Sequence, residues 1–385
     1  MPPTSDAYWL ALRSVHGVGP KIYRAILERF QTPDRAIAAD VVALIDAGVP
    51  RTTAGNIAGL RDFDAAEREL CEMERIDARL IRWTDTEYPS NLRQIADPPP
   101  YLYIRGSAAA LGPACVAIVG ARAASDAGRH MARRLGLELA SRGITVVSGL
   151  ARGIDGEAHQ GALDAGGRTV AVTGCGIDVI YPAEHRALAE AILESGGAIV
   201  SELPIGTSPR AENFPARNRI LSGLCLGVVI VEAAERSGSL ITARLALEQD
   251  RQVFAVPGSP LSGKSRGSNR LLKEGARLVE CVEDIIEELA PQMIGPGFNQ
   301  QNNEIVTRKS APERKSGVSK VSIDIKSQPQ SIQDILIALK RTPKLHVDSI
   351  IAESGMNAQT VLRLLLDLEL KGLVAQHPGK LFSLA

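Results

Sequence analysis

Six runs settle the fold: VAIVG at 116–120, ITVVSG at 144–149, TVAVTG at 169–174, AIVSE at 198–202, GVVIVEA at 227–233 and QVFAVPG at 252–258. Each is rich in β-branched residues, has the length of a buried strand, and gives way to glycine-rich punctuation and then to helical spacing. Strands buried on both faces read as near-continuous apolar runs, whereas half-solvated strands alternate. Such runs alternating with helices predict a doubly wound α/β domain with a parallel sheet over residues 83–290.

Upstream, residues 1–82 read as an all-helical domain. VHGVGPKIYRAILERF at 15–30 places a glycine-punctuated turn before apolar residues at helical spacing, the pattern of a helix-hairpin-helix or SAM-like module, with a second turn at Gly48 to Thr53. The glycines of that turn would present N–H groups able to hold one phosphate without reading bases; the alternative is a hairpin that only packs on the next domain. Asp97-Pro98-Pro99-Pro100 then leads into the extended segment YLYIRG at 101–106. Downstream, residues 291–330 are polar, somewhat basic and aperiodic, which predicts a flexible linker. Residues 331–385 predict a winged helix: three short helices, then two strands around His377-Pro378-Gly379. Its third helix offers Arg363 and Lys371 beside Asp367 and Glu369, so it lacks the cationic face of a strong major-groove reader and suits a protein contact or weak DNA module.

Across 385 residues, 44 Lys plus Arg balance 44 Asp plus Glu, so nucleic-acid contact must come from local patches rather than an overall field. The 4% aromatic content disfavours an RNA-recognition sheet paved with rings and draws attention to every ring in a polar loop. Five cysteines, at 71, 115, 175, 225 and 281, form no C-x-x-C pair, which suits a reducing compartment, taken as the cytoplasm, over a disulfide framework or zinc knuckle. The start has no signal-peptide pattern and the longest apolar run, near Leu224 to Ala234, is too short to span a bilayer, so no membrane role is expected.

Open parallel sheets bind ligands outside the carboxyl ends of their strands, so chemistry is sought in those loops. Gly120 permits close backbone approach and Arg122 offers a fork for phosphate. Ser148, Gly149 and Gly153 run into a helix whose opening amides face the same crevice, and Ser237, Gly238 and Ser239 stand at another helix start. Gly174-Cys175-Gly176 never completes G-x-G-x-x-G and no G-K-[ST] follows a Walker spacing, so neither a dinucleotide nor triphosphate hydrolysis is expected, and no cofactor or metal is implied. In NFPARNR at 213–219, with Arg210 upstream, a base could stack on Phe214 while Arg217 or Arg219 meets a phosphate and Asn218 stands between them. The other account of the same residues is a core-filling Phe214 with its arginines paired to acids.

IVGAR, SGLARGID, GCGIDVIYP, SELPIG, FPARNRILSG, VVIVEA with SGSLITA, FAVPG and GSNRLL, in that order, closely resemble the DprA/Smf family of DNA-processing proteins over about residues 108–286. The resemblance implies an extended Rossmann-like domain, in a homodimer that binds single-stranded DNA without sequence preference, protects incoming DNA and loads RecA recombinase during natural transformation, with no catalytic residue. Carried over by motif, the DNA pocket comprises Gly120, Arg122, Ser148, Gly149, Gly153, Phe214, Arg217, Asn218 and Arg219. Relatives often have further basic residues beside the Phe, where this chain has Ala211 and Glu212, with Arg210 as the nearby cation.

Two rival functions stay open from sequence. A nucleoside-monophosphate hydrolase on a related fold would use the same loops, with Glu232 polarising the sugar. A scaffold would dimerise through the sheet domain and make no DNA contact. Among bland readings, Asp155 caps its helix while His159, four residues on, bonds nearby backbone; Asp178 and Glu202 brace loops; Cys175 is inert; and Tyr181 packs against the sheet.

Overall fold

The computed structural model describes residues 3–293, 330–341, 345–370, 374–377 and 381–384. Those up to Met293 form one compact unit and those from Gln330 a second.

The first unit is built on nine strands: β1 (Ala78–Arg82), β2 (Tyr101–Gly106), β3 (Cys115–Val119), β4 (Thr145–Ser148), β5 (Thr169–Val172), β6 (Ala198–Ser201), β7 (Gly227–Ile230), β8 (Gln252–Ala255) and β9 (Arg277–Leu278). Their order in the sheet is β1-β2-β6-β5-β4-β3-β7-β8-β9. From β6 to β9 every pairing is parallel, and β2 pairs antiparallel with both β6 and β1. The predicted doubly wound α/β core is therefore present, extended by an antiparallel pair along one edge.

Period-two alternation sends neighbouring residues to opposite faces. Cys115, Ala117 and Val119 face a layer containing Ile220, Leu221, Ala243 and Ala246. Val116 and Ile118 face the other, where Leu135, Leu139, Ala158 and Ile285 pack. All these side chains are buried, each large aliphatic contributing about 1.5–3 kcal/mol of transfer free energy.

The N-terminal helices continue this core. Tyr101, Tyr103 and Ile199 of the sheet join one apolar cluster with Trp9, Tyr23, Ile26, Leu44 and Ile57. The expected turn is present: Gly17 takes φ 91, Gly19 precedes the helix Pro20–Phe30, and the turn rests against Thr53. Ala78–Arg82 departs from the all-helical reading of 1–82, because its five residues pair with β2 as an edge strand.

In the second unit, helices Gln330–Arg341, Val347–Ser354 and Ala358–Leu370 accompany strands Val374–His377 and Leu381–Leu384, with Leu345–His346 as a third strand. Ile335, Leu336, Ile350, Val361, Leu365 and Phe382 form its core, so the winged helix is confirmed. Most of the segment read as a linker, 294–329, and Lys371 lie outside the described residues.

Candidate nucleic-acid interface

After β3 the chain winds through β4, β5 and β6 to one side, then crosses back to place β7 on the other side of β3. The loops following β3 and β7 diverge at such a reversal and leave a crevice at the strands' carboxyl ends. A cleft of about 570 Å³ occupies this place. Gly120 and Arg122 enter it from the loop after β3, Asp155 from the segment after β4, Phe214, Arg217 and Asn218 from the helix Asn213–Gly223, and Ser237, Gly238 and Ser239 from the loop after β7. Loops far apart in sequence are thus assembled as expected.

Phe214 lies at the start of its helix, where Pro215 is tolerated because a first-turn residue has no intrahelical partner for its N–H. Its ring is half-buried. The guanidinium carbon of Arg122 stands 5.2 Å from the ring centroid, that of Arg217 5.9 Å, and the Tyr181 ring 5.8 Å at 44°. Arg122 is exposed, and no carboxylate pairs with it among the described residues. It can therefore accept an anion while keeping its place over the ring. A cation so placed at an exposed site gains about 0.5–1 kcal/mol.

Of the two arginines after Phe214, either of which was read as a phosphate partner, only Arg217 lines the cleft. Two positions along a helix differ by about 200°, so Arg217 and Arg219 leave opposite faces. Arg217, 8% exposed, turns inward and donates to the carbonyls of Gly149, at 3.1 Å, and of Val172. Arg219 is absent from the cleft lining; it donates to Glu202 at 2.6 Å and pairs with Asp97 at 3.2 Å. Ser148 also drops out of the lining: fully buried, its hydroxyl donates to the Ile118 carbonyl at 2.6 Å and ties β4 to β3. Arg210 projects into solvent between the cleft-lining Pro209 and Ala211, 3.9 Å from Glu212.

Gly149 and Gly153 shape the floor. A Cβ on Gly149 would lie 2.7 Å from both terminal guanidinium nitrogens of Arg217 and from an Asp155 oxygen. Gly153, at φ 73, passes so close under the loop after β3 that a Cβ would sit 2.5 Å from the Arg122 carbonyl oxygen. An L side chain there would strain the backbone and displace Arg122.

Two buried titratable groups bear on this floor, Asp155 at the cleft wall and His159 behind it. Asp155 accepts from the Gly149 amide at 3.2 Å and the Ala151 amide at 3.4 Å, so it braces the loop before its helix rather than capping the helix. His159 bonds the Thr169 hydroxyl at 2.7 Å, not backbone. That hydroxyl already donates to the Val146 carbonyl, which assigns the imidazole proton to Nδ1 and leaves Nε2 as a buried lone pair without a partner among the described residues.

Burial raises Asp155 to about 6, with the Arg217 charge opposing, and lowers His159 to about 3, with the His185 and Arg217 charges adding to the effect. The fold thus holds the Asp155 proton more tightly than the unfolded chain does, so this group's stability contribution falls as pH rises from about 4 to 6. His159 works the other way, and its contribution is lost as pH falls from about 6.5 towards 3. Over their common window the slopes oppose, each at most about 1.4 kcal/mol per pH unit. Asp155→Asn removes one of them. Relative to the parent, the variant should lose stability with acid between about pH 6 and 4. Thermal melts across that range check this, and parallel curves would refute it.

The carboxylate on which a hydrolase would depend is engaged elsewhere. Glu232, buried, accepts from the Ser125 amide at 3.0 Å and hydroxyl at 2.7 Å, and it does not line the cleft. Asp178 accepts from the Gly206 amide at 2.9 Å, and Glu202 holds Arg219, so both brace loops. Cys175 is buried, its thiol donates to the Val179 carbonyl at 3.1 Å, and burial pushes it up to about 11, too high for a thiolate near neutrality. Among the described residues, no group of three or more His, Cys, Asp or Glu could hold a metal ion, and no helix is long and apolar enough to cross a membrane.

Tyr181 was misplaced by sequence. It does not pack away against the sheet but is 42% exposed and lines the cleft beside Phe214. The available signal was a ring in a polar loop of an aromatic-poor chain.

Residues 79–290 match the family model for DNA recombination-mediator protein A, and residues 327–380 match that for the DprA winged helix domain. The chain belongs to the DprA/Smf family. Protein Smf of Escherichia coli K12 is 42% identical over 315 residues, covering 81% of this chain and 79% of that protein. DNA processing protein DprA of Streptococcus pneumoniae R6 is 45% identical over 206 residues, 53% of this chain and 72% of that protein. The X-ray structure of a Streptococcus pneumoniae DprA superposes with a TM-score of 0.65 at 34% identity, covering 75% of this chain and 99% of that one. A Helicobacter pylori DprA structure, described as showing a unique single-stranded DNA binding mode, gives 0.51 at 30% identity over 56% of this chain and 97% of that one. The DprA/Smf motifs quoted from the sequence fall within the matched span, and IVGAR, SGLARGID, GCGIDVIYP, FPARNRILSG and SGSLITA put residues into the cleft or its floor, whereas SELPIG does not.

Proposed function

We propose that this chain binds single-stranded DNA in the Phe214 cleft without reading its sequence, protects incoming DNA and loads RecA recombinase onto it during natural transformation, acting as a cytoplasmic homodimer with no catalytic step. The observation that carries the binding part is the exposed Arg122 guanidinium held 5.2 Å over the half-buried Phe214 ring at the crevice of a DprA/Smf chain. A ring offers its face to any base, and a guanidinium takes any phosphate, so the pair selects polynucleotide over sequence. The single-stranded DNA described for the Helicobacter pylori relative supports the same ligand, and the family resemblance supports the recombinase and the dimer.

With Arg217 and Arg219 engaged inside the protein, Arg122 and Arg210 are the cleft's cations left to neutralise phosphates. Two contacts at about −0.7 each give a log–log slope of oligo-dT affinity against salt near −1.4, shallower than the −2 or so that three would give. Anisotropy titrations between low and physiological salt measure it, alongside duplex of equal length, which should bind more weakly. A salt-independent complex, or equal duplex affinity, would remove this reading. Base release from a nucleoside monophosphate, lost in Glu232→Gln, would replace it with the hydrolase.

A further inference from the structure

We propose that Tyr181 and Arg152 form a second nucleotide subsite, contiguous with the Phe214–Arg122 one, so that the cleft holds two neighbouring nucleotides of one strand. The inference rests on the single-strand reading above and adds residues and a competitor that it does not contain.

Of the six tyrosines, only Tyr181 is exposed. Tyr23, Tyr88 and Tyr103 are buried and their hydroxyls donate to Trp9, Pro99 and Glu69, whereas no hydrogen bond holds the Tyr181 hydroxyl among the described residues. An uncovered ring on the wall of a cleft, 5.8 Å from a second ring and tilted 44° to it, offers a separate face to a separate base.

The cation tied to this ring's segment is Arg152, which follows the cleft-lining Ala151 and, among the described residues, does not stand over the Tyr181 ring as Arg122 stands over Phe214. Glu184 follows Tyr181 by three residues, in the turn Ala183–His185, and takes both arms of the Arg152 fork at 2.7 Å each. His185 of the same turn bonds the Leu150 carbonyl through Nδ1 at 2.9 Å. The His185 link holds the Tyr181 segment against the loop after β4 that carries Arg152, whether or not Glu184 is engaged. The Arg152 side chain is 62% exposed. A carboxylate engaging both arms occupies the same N–H groups that a phosphate would take. Exposed pairs of this kind are weak, so a phosphate displaces Glu184 readily, and Glu184 acts as a built-in competitor for the strand.

The test uses the full chain and oligo-dT. Tyr181→Ala should weaken binding about tenfold, and Tyr181→Phe should recover most of that loss, because the ring and not the hydroxyl is used. Glu184→Gln should tighten binding about two- to fivefold at low salt and steepen the salt slope by about 0.7. In an Arg152→Ala background the Glu184→Gln gain should vanish. If Tyr181→Ala and Glu184→Gln bind like the parent while Phe214→Ala is weakened, the second subsite is wrong and the first stands. If Glu184→Gln tightens binding whether or not Arg152 is present, the gain is only lost negative charge and the subsite is again overturned. A parent that fails to bind oligo-dT removes both readings together.

Discussion

Replacing Gly161 by alanine should lower the melting temperature sharply, although the same change in an open helix raises it. Helices Asp126–Ser141 and Ile154–Asp164 cross where each lacks a side chain: a Cβ on Gly161 would run into the Arg133 carbonyl, and one on Gly136 into the Ala158 carbonyl. Both obstacles are backbone, so neither can rotate aside, and relief requires one helix to move off the other. The layer holding Leu135, Leu139, Ile154 and Ala158 would open with it. Overpacking of this kind costs about 1–3 kcal/mol or more, against about 1 kcal/mol gained from alanine's helix propensity. Gly55 supplies the control, since it lies in the helix Arg51–Ala58 and a Cβ there meets nothing within 4 Å. Gly55→Ala should stabilise by about 0.5–1 kcal/mol. If Gly161→Ala stabilises as Gly55→Ala does, the close crossing is not as described.

Phe214→Ala should cost about 1–3 kcal/mol in oligo-dT affinity while leaving the salt slope unchanged, and Arg122→Ala should flatten that slope by about 0.7. The two losses differ in kind because a stacked base releases no counterion and a neutralised phosphate does. Phe214 also packs against the backbone at Gly174, so its truncation can loosen the floor as well as remove a stacking face. Phe214→Leu keeps most of that packing without an aromatic face, and its affinity should resemble that of the alanine variant with less change in melting temperature. If Phe214→Leu binds like the parent, the ring's role is packing alone.

The sheet was legible because fully buried parallel strands leave unbroken runs such as VAIVG and GVVIVEA, which helices of that length seldom carry. Ala78–Arg82 was hidden for the opposite reason: an edge strand with arginine at its second and last positions shows little apolar pattern beside a long charged helix. Phe214 and Arg122, which line the cleft, were singled out by chemistry, as a ring among cations and an arginine after a glycine turn. Arg217 and Arg219 could not be separated until the helix start at Asn213 set their faces 200° or so apart. Ser148 was read as a pocket residue because glycine-rich loops draw in their flanks, yet as the last residue of β4 its side chain points across the sheet. No local pattern announces which arginine will meet a backbone carbonyl, since that partner lies 45 residues away in the case of Val172.

Arg217 gives the cleft a property that its visitors do not supply. Because its guanidinium is bonded to the carbonyls of Gly149 and Val172, the loop after β4 and the end of β5 are already set relative to the helix that carries Phe214. On the single-strand reading proposed above, a strand would find that part of its berth already formed. Encounter, rather than rearrangement, should then govern how fast a complex forms, and its lifetime should carry most of the difference between one oligonucleotide and another.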